Sequence, residues 1–117
     1  EAPSIFKKDG RYYLLTSGCD WWNPTAARMH TTTSLGGTWT NLGNPATGAM
    51  SHLTFNSQGT NVLQISGTTG EPEFVFIADR WNANYLPSSR YVWLPFSWNG
   101  TTPKLSEPAV WNRSVFG

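Results

Sequence analysis

The sequence predicts an all-β fold, and three observations point there. Aromatic side chains make up 15% of the 117 residues and charged ones only 13%, with 11 Gly and 8 Pro between them. That is a composition of short aromatic strands and tight turns rather than of amphipathic helices. Bulky residues recur in short runs bounded by Gly, Pro, Asn, Asp and Ser. These runs fall into two consecutive groups of four, the rhythm of β-propeller blades, each a four-stranded antiparallel sheet. A small sandwich or open barrel is the rival architecture.

The first group opens with "PSIFKK" (3–8) and "RYYLLT" (11–16) around Asp9-Gly10. Asp-Gly suits the two-residue type I′ turn, in which both central residues take positive φ. The spacing lets Ile5, Tyr13 and Leu15 share one face. "SGCDWWNPTAA" (17–27) is a loop, broken by Gly18, Asp20, Asn23 and Pro24. The β-branched "RMHTTTS" (28–34) is extended, and "LGGTWTNLG" (35–43) is a turn and then a short strand around Trp39. The second group comprises "NVLQISG" (61–67), "EFVFIADRW" (73–81), "RYVWLPFSW" (90–98) and an outer strand within "KLSEPAVW" (104–111). "TTGEP" and "NANYLPSS" supply its turns. The expected blades are residues 1–48 and 49–117. A propeller ring needs four or more blades, so the chain reads as part of a larger domain.

Charge excludes some partners. Eight Lys and Arg stand against seven Asp and Glu, so no clustered basic charge is available to displace counterions from a nucleic acid. No apolar run reaches the length of a membrane span. Cys19 is the one cysteine and there are two His, which gives neither an internal disulfide nor the ligand spacing of a metal site. No cofactor is implied. Of the seven Trp, about two-thirds are expected in the core, where aromatics dominate buried area. The others are candidate platforms for a sugar ring, whose C–H face suits a flat indole with a free N–H.

The candidate site residues read two ways on composition alone. Glu1 is a solvated terminal carboxylate or the first residue of a functional strand. Gln58, in "FNSQGTNV", is an ordinary polar loop residue or an amide that orients a ligand. Trp21 and Trp22 sit side by side in a loop, so one is expected to pack and the other to face a cleft. Asp20 and Asn23 offer hydroxyl contacts, although Asn23-Pro24 also fits a plain turn. Asp79 and Arg80 end a strand, either as a structural ion pair or as substrate contacts, and Arg90 opens the next strand with the same two readings. His30 reads as strand surface and His52 as loop.

"EAPSIFKKDGRYYLLTSG" (1–18) resembles the acid-bearing strand pair of glycoside hydrolase family 43, in which a Glu in E-(A/G)-P opens a blade and K-x-x-G-x-Y-Y-L follows. The resemblance extends through "SGCDWWNP", "LGGTWTNLGNP", "TFNSQGTNVL", "FIADRWN" and "SRYVWLPF". Together these motifs are similar to the exo-β-1,3-galactanase branch. The resemblance implies a five-bladed propeller, of which these would be the fourth and fifth blades. The first three, with the catalytic base and an Asp that orients and tunes the acid, would lie upstream.

It also implies a secreted, inverting enzyme that releases galactose from β-1,3-galactan, the backbone of plant arabinogalactan. Glu1 would then be the general acid. Such an acid keeps its proton through burial and a neighbouring carboxylate. Gln58 would lie on the side of the attacking water and orient that water or a sugar hydroxyl through hydrogen bonds, an amide being a poor base. A carbohydrate-binding propeller without catalysis is the alternative. A fragment that is inactive for want of its upstream base is a further one.

Overall fold

The computed structural model describes residues 1–116, so Gly117, the last residue of the second expected blade, lies outside the described residues. The first sheet contains β1 (Ser4–Lys8), β2 (Arg11–Thr16), β3 (Arg28–Thr32) and β4 (Thr40–Gly43). The second contains β5 (Gln58–Ser66), β6 (Pro72–Arg80), β7 (Arg90–Asn99) and β8 (Thr102–Leu105). In each sheet the strands lie in chain order, every neighbour antiparallel. One-turn 3-10 helices occupy Ser51–Leu53, Leu86–Ser88 and Arg113–Phe116.

The turns follow the chemistry read from the sequence. Lys8 pairs with Arg11 across Asp9 (φ 49°) and Gly10 (φ 77°), which is the backbone of a type I′ turn. Between β7 and β8, Gly100 (φ 61°) opens a second two-residue loop at a position where left-handed backbone favours glycine.

The register corrects the expected face of the first hairpin. Phe6 lies opposite Tyr13 and Ser4 opposite Leu15; these four are buried, whereas Ile5 is 52% exposed. Ile5 pairs with Leu14, and with a side-chain period of two that places it on the opposite face from Tyr13 and Leu15. Three strand bounds also shift: β5 begins at Gln58, which read as loop, rather than at Asn61. β4 begins at Thr40, just after the half-buried Trp39. The outer strand runs over Thr102–Leu105 and does not continue through 106–111. Its ladder with β7 ends at Phe96 and Leu105, and Pro108 has no N–H to extend it.

Buried side chains of both sheets form one core cluster among the described residues. Phe6 of β1 inserts between Phe74 of β6 and Phe96 of β7, with ring centroids 5.0 and 5.6 Å away. Tyr13, Leu15 and Met29 join it from the first sheet, and Phe76, Leu94 and Leu105 from the second. The sheets therefore pack face to face through interdigitated rings. Chain crossing adds to this: the 44–47 segment before β5 bridges in parallel to β8, where Leu105 N donates to Pro45 O at 2.9 Å and Thr47 N to Leu105 O at 2.8 Å.

Tryptophan departs from expectation. Among the described residues no Trp is fully buried; Trp98 packs against the core from its margin, and Trp21, Trp22 and Trp93 are exposed. The physical reason is the indole N–H. A core of Phe, Leu, Val and Met offers it no acceptor, and Trp98 Nε1 is itself buried without a partner.

Candidate active site

One end of the two sheets gathers the residues with chemistry. Glu1 reaches it by an irregularity in the first hairpin. Beyond the Ser4–Leu15 pair, the backbone of Glu1 exchanges two hydrogen bonds with Ser17: Ser17 N donates to Glu1 O at 2.9 Å, and Glu1 N donates to Ser17 O at 3.3 Å. Ala2 and Pro3 thus oppose Thr16 alone, a β-bulge, and Ala2 takes φ 49°. That backbone accounts for a small residue between Glu1 and Pro3. Glu1 is exposed in this chain. The buried face of the hairpin ends at Ser4, and past the bulge the chain runs along the edge of a cavity.

The 17–27 loop supplies the aromatic wall. Asn23 N donates to Asp20 O at 3.0 Å to close a turn, within which Trp21 takes φ 55°. Gly18 N donates to Thr25 Oγ1 at 2.7 Å and ties the base of the loop. Trp21 and Trp22 are 74% and 62% exposed, their rings 6.0 Å apart. Neither packs into the core as expected for one of them; both face the cavity. Trp22 also lies 6.2 Å from Trp81, just beyond the end of β6.

Gln58 opens β5 and is delivered by a strained segment. Thr54, Phe55 and Asn56 take φ 49°, 57° and 57° in succession, after Met50 at 61°. Left-handed backbone costs an L-residue about 1–2 kcal/mol, so three in a row persist only where tertiary contacts over-determine them. Here the Phe55 ring is in the core, Thr54 Oγ1 donates to Thr25 O at 2.6 Å, and Ser57 Oγ donates to Thr54 O at 2.5 Å. Immediately after Gln58, a Cβ on Gly59 would stand 2.9 Å from the Phe76 ring. That close approach requires glycine.

The Gln58 side chain is oriented without ambiguity. Its Nε2 donates to Trp21 O at 2.9 Å and to Ser17 Oγ at 3.1 Å. The carbonyl can only accept, and the Ser17 hydroxyl proton is already given to Gly18 O at 2.8 Å. The amide nitrogen must therefore face this pair, which turns Oε1 the other way as a free acceptor.

Glu1, Ala2, Trp21, Trp22 and Gln58 line a cavity of about 300 Å³. A second cavity of about 360 Å³ shares Trp22 and Gln58 and is completed by Asp79, Trp81 and Leu86. Asp79 lies directly opposite Gln58 in the β5–β6 ladder. Two acceptors and indole faces suit a ligand with hydroxyl donors and a flat apolar side, the surface of a pyranose.

Other expected residues lie elsewhere. Asp20 and Asn23 are exposed on the tryptophan loop and line neither cavity. Arg80 does not pair with Asp79; its Nη2 donates to Phe55 O at 2.5 Å and forms an ion pair with Glu107 at 2.6 Å. Arg90 Nη1 donates to Ser88 O at 2.8 Å and Ser89 O at 3.2 Å, closing its own loop. Ser17, Trp81, Leu86 and Glu107 are participants that sequence reasoning missed. Trp81 alone carried a signal, as a Trp closing the strand read over 73–81.

No family model and no curated protein matches the chain. Solved structures do. A glycoside hydrolase family 43 β-1,3-galactosidase with galactodeoxynojirimycin is 41% identical over 96% of this chain and 32% of its own, with a TM-score of 0.87. An exo-β-1,3-galactanase from Clostridium thermocellum is 33% identical over 91% of this chain and 22% of its own, at 0.76. The exo-β-1,3-galactanase of Phanerochaete chrysosporium, as a Glu-to-Gln variant with β-1,3-galactotriose, is 28% identical over 100% of this chain and 26% of its own, at 0.81. The chain thus spans between a fifth and a third of the length of these structures. In sequence and in fold it is similar, over nearly all of its own length, to the exo-β-1,3-galactanase branch of glycoside hydrolase family 43.

Proposed function

We propose that this chain carries the acid-bearing part of a secreted, inverting glycoside hydrolase that releases galactose from the non-reducing end of β-1,3-galactan, the arabinogalactan backbone. Its two sheets are two blades of a five-bladed ring, and blades of the same polypeptide supply the remaining groups. The observation that carries the reading is the meeting of Glu1, Gln58, Trp21 and Trp22 around one cavity, in a chain so similar to galactan-cleaving structures.

In this reading Glu1 protonates the leaving glycosidic oxygen. Trp22, shared by both cavities, stacks on the sugar. Gln58 Oε1 accepts a hydrogen bond donated by the attacking water or by a sugar hydroxyl and so fixes its direction. Binding of Nε2 to Ser17 and Trp21 makes that direction a property of the fold rather than of the ligand. Inversion needs a second group across the bond, with carboxyls roughly 6.5–9.5 Å apart. Glu1 is the one carboxylate lining the smaller cavity among the described residues, so the partner is assigned to another blade.

That same observation favours a second reading, a carbohydrate-binding propeller without catalysis. One experiment separates the two: galactose release from unbranched β-1,3-galactan by the full-length protein and by its Glu1→Gln variant, beside galactan binding by both. The expected loss in the variant is about 10²–10⁴-fold, the contribution of a general acid, with binding retained. Full activity in the variant overturns the acid role. Binding by both proteins with release by neither establishes the binding propeller.

A further inference from the structure

We infer that Arg80, held by Glu107, is a positioning residue for Gln58: its guanidinium secures the left-handed segment that brings the Gln58 amide to the cavity. The inference rests on the reading of Gln58 just given and adds what keeps that amide in place.

Phe55 is the middle residue of the left-handed run and lies three residues before Gln58. Its carbonyl precedes β5 and takes no part in the ladder, so it needs a donor from elsewhere. Arg80 Nη2 supplies it at 2.5 Å. Glu107, from the segment after β8, accepts from the same nitrogen at 2.6 Å and fixes the direction of a side chain that is otherwise long and free. Arg80 Nε is buried with no partner among the described residues.

The ladder explains why the neighbours Asp79 and Arg80 do different things. Successive strand residues point to opposite faces. Asp79, paired with Gln58, lines the larger cavity, and Arg80 reaches back to the segment that delivers Gln58. The end of β6 thereby supports Gln58 from two sides.

The test uses the full-length protein with Arg80→Met, Arg80→Lys, Glu107→Gln, Gln58→Ala, and Arg80→Met combined with Gln58→Ala. Steady-state rates on β-1,3-galactan are read beside the side-chain amide signals of Gln58 in protein labelled at glutamine. Arg80→Met is expected to lower kcat about 10- to 100-fold, the effect of misplacing a reacting group by roughly an ångström, with KM little changed. Arg80→Lys, which keeps one charged donor, recovers part of that loss, and Glu107→Gln loses less than Arg80→Met. The combined variant is no slower than Gln58→Ala alone, because Arg80 acts through Gln58. The Gln58 amide signals lose their dispersion and their slow exchange in Arg80→Met.

A raised KM with unchanged kcat makes Arg80 a substrate contact and overturns the inference. Additive losses or unmoved Gln58 amide signals overturn it too. Full activity in Gln58→Ala removes the reading of Gln58 instead, and the amide signals then decide the role of Arg80 alone. Should Arg80→Met fail to fold, Arg80→Lys and Glu107→Gln carry the same two readouts.

Discussion

Glu1 and Gln58 meet at one cavity, but the two sheets deliver them by different means. Glu1 is placed by main chain alone: an antiparallel ladder runs one pair further through a bulge, and both hydrogen bonds to Ser17 are backbone bonds. Gln58 is placed by tertiary contacts to a backbone that would not hold itself. Its left-handed approach depends on the burial of its own Phe55 ring, on its own hydroxyls at Thr54 and Ser57, and on the Thr25 carbonyl and Arg80 guanidinium from two other parts of the chain. The first arrangement is local and tolerates change around it. The second is over-determined, and any one support that fails should be felt at the amide.

Gly59→Ala should break the second arrangement most completely. The new Cβ would stand 2.9 Å from a Phe76 ring that is wholly buried and has no room to move. Overpacking of this kind costs about 1–3 kcal/mol, and the start of β5 carries Gln58 with it. The thermal midpoint and the galactose release proposed for the full-length protein should fall together. An unchanged midpoint would mean that β5 can shift freely, against the picture of a pinned amide.

The contrast also decides what the sequence could reveal. Asp9-Gly10 announced its left-handed turn, because the pair suits that backbone and the flanking strands pair in the implied register. Nothing in Thr54-Phe55-Asn56 announces one: no glycine marks it, and its supports Thr25, Arg80 and Glu107 are scattered along the chain. The eight strands, in outline, and the loop that carries Trp21 and Trp22 were legible from period and breakers, but the exposure of both indoles was not. The face of Ile5 was not, since "SIFKK" allows either register and only the Phe6–Tyr13 pairing settles it. Glu107 was hidden inside a segment that read as strand, and Gln58 drew notice through resemblance rather than through any local pattern.

The first arrangement can be tested at its bulge. Ala2 sits at φ 49°, where a β-branched side chain is a strong outlier. Ala2→Val should cost about 1–2 kcal/mol. Ala2→Gly should be neutral or gain up to about 1 kcal/mol, because relief of that backbone offsets the added freedom of the unfolded chain. Urea midpoints of the two variants read this directly. If valine and glycine behaved alike, the bulge would not be what holds Glu1.

The smallest effect belongs to the end of β6 remote from Asp79, and it separates stability from the site. Burial pushes the Glu73 carboxyl above its ordinary value of 4.5, with Lys8 drawing it down and Glu71 pushing it up. A carboxyl whose folded value is raised binds its proton more tightly in the folded protein than in the unfolded one. Stability is therefore greatest with Glu73 protonated. It falls as pH rises from 4.5 through the raised folded value, then levels off. Glu73→Gln removes that decline. The variant should draw ahead of the parent through this window and remain ahead at neutral pH, by less than about 1 kcal/mol because solvent screens a partly exposed group. The proposed galactose release should proceed at the parent's rate, since Glu73 lines neither cavity. A change in rate at unchanged stability would instead tie the remote end of β6 to Gln58, and the division between a locally placed carboxylate and a tertiary-held amide would have to extend along the whole strand.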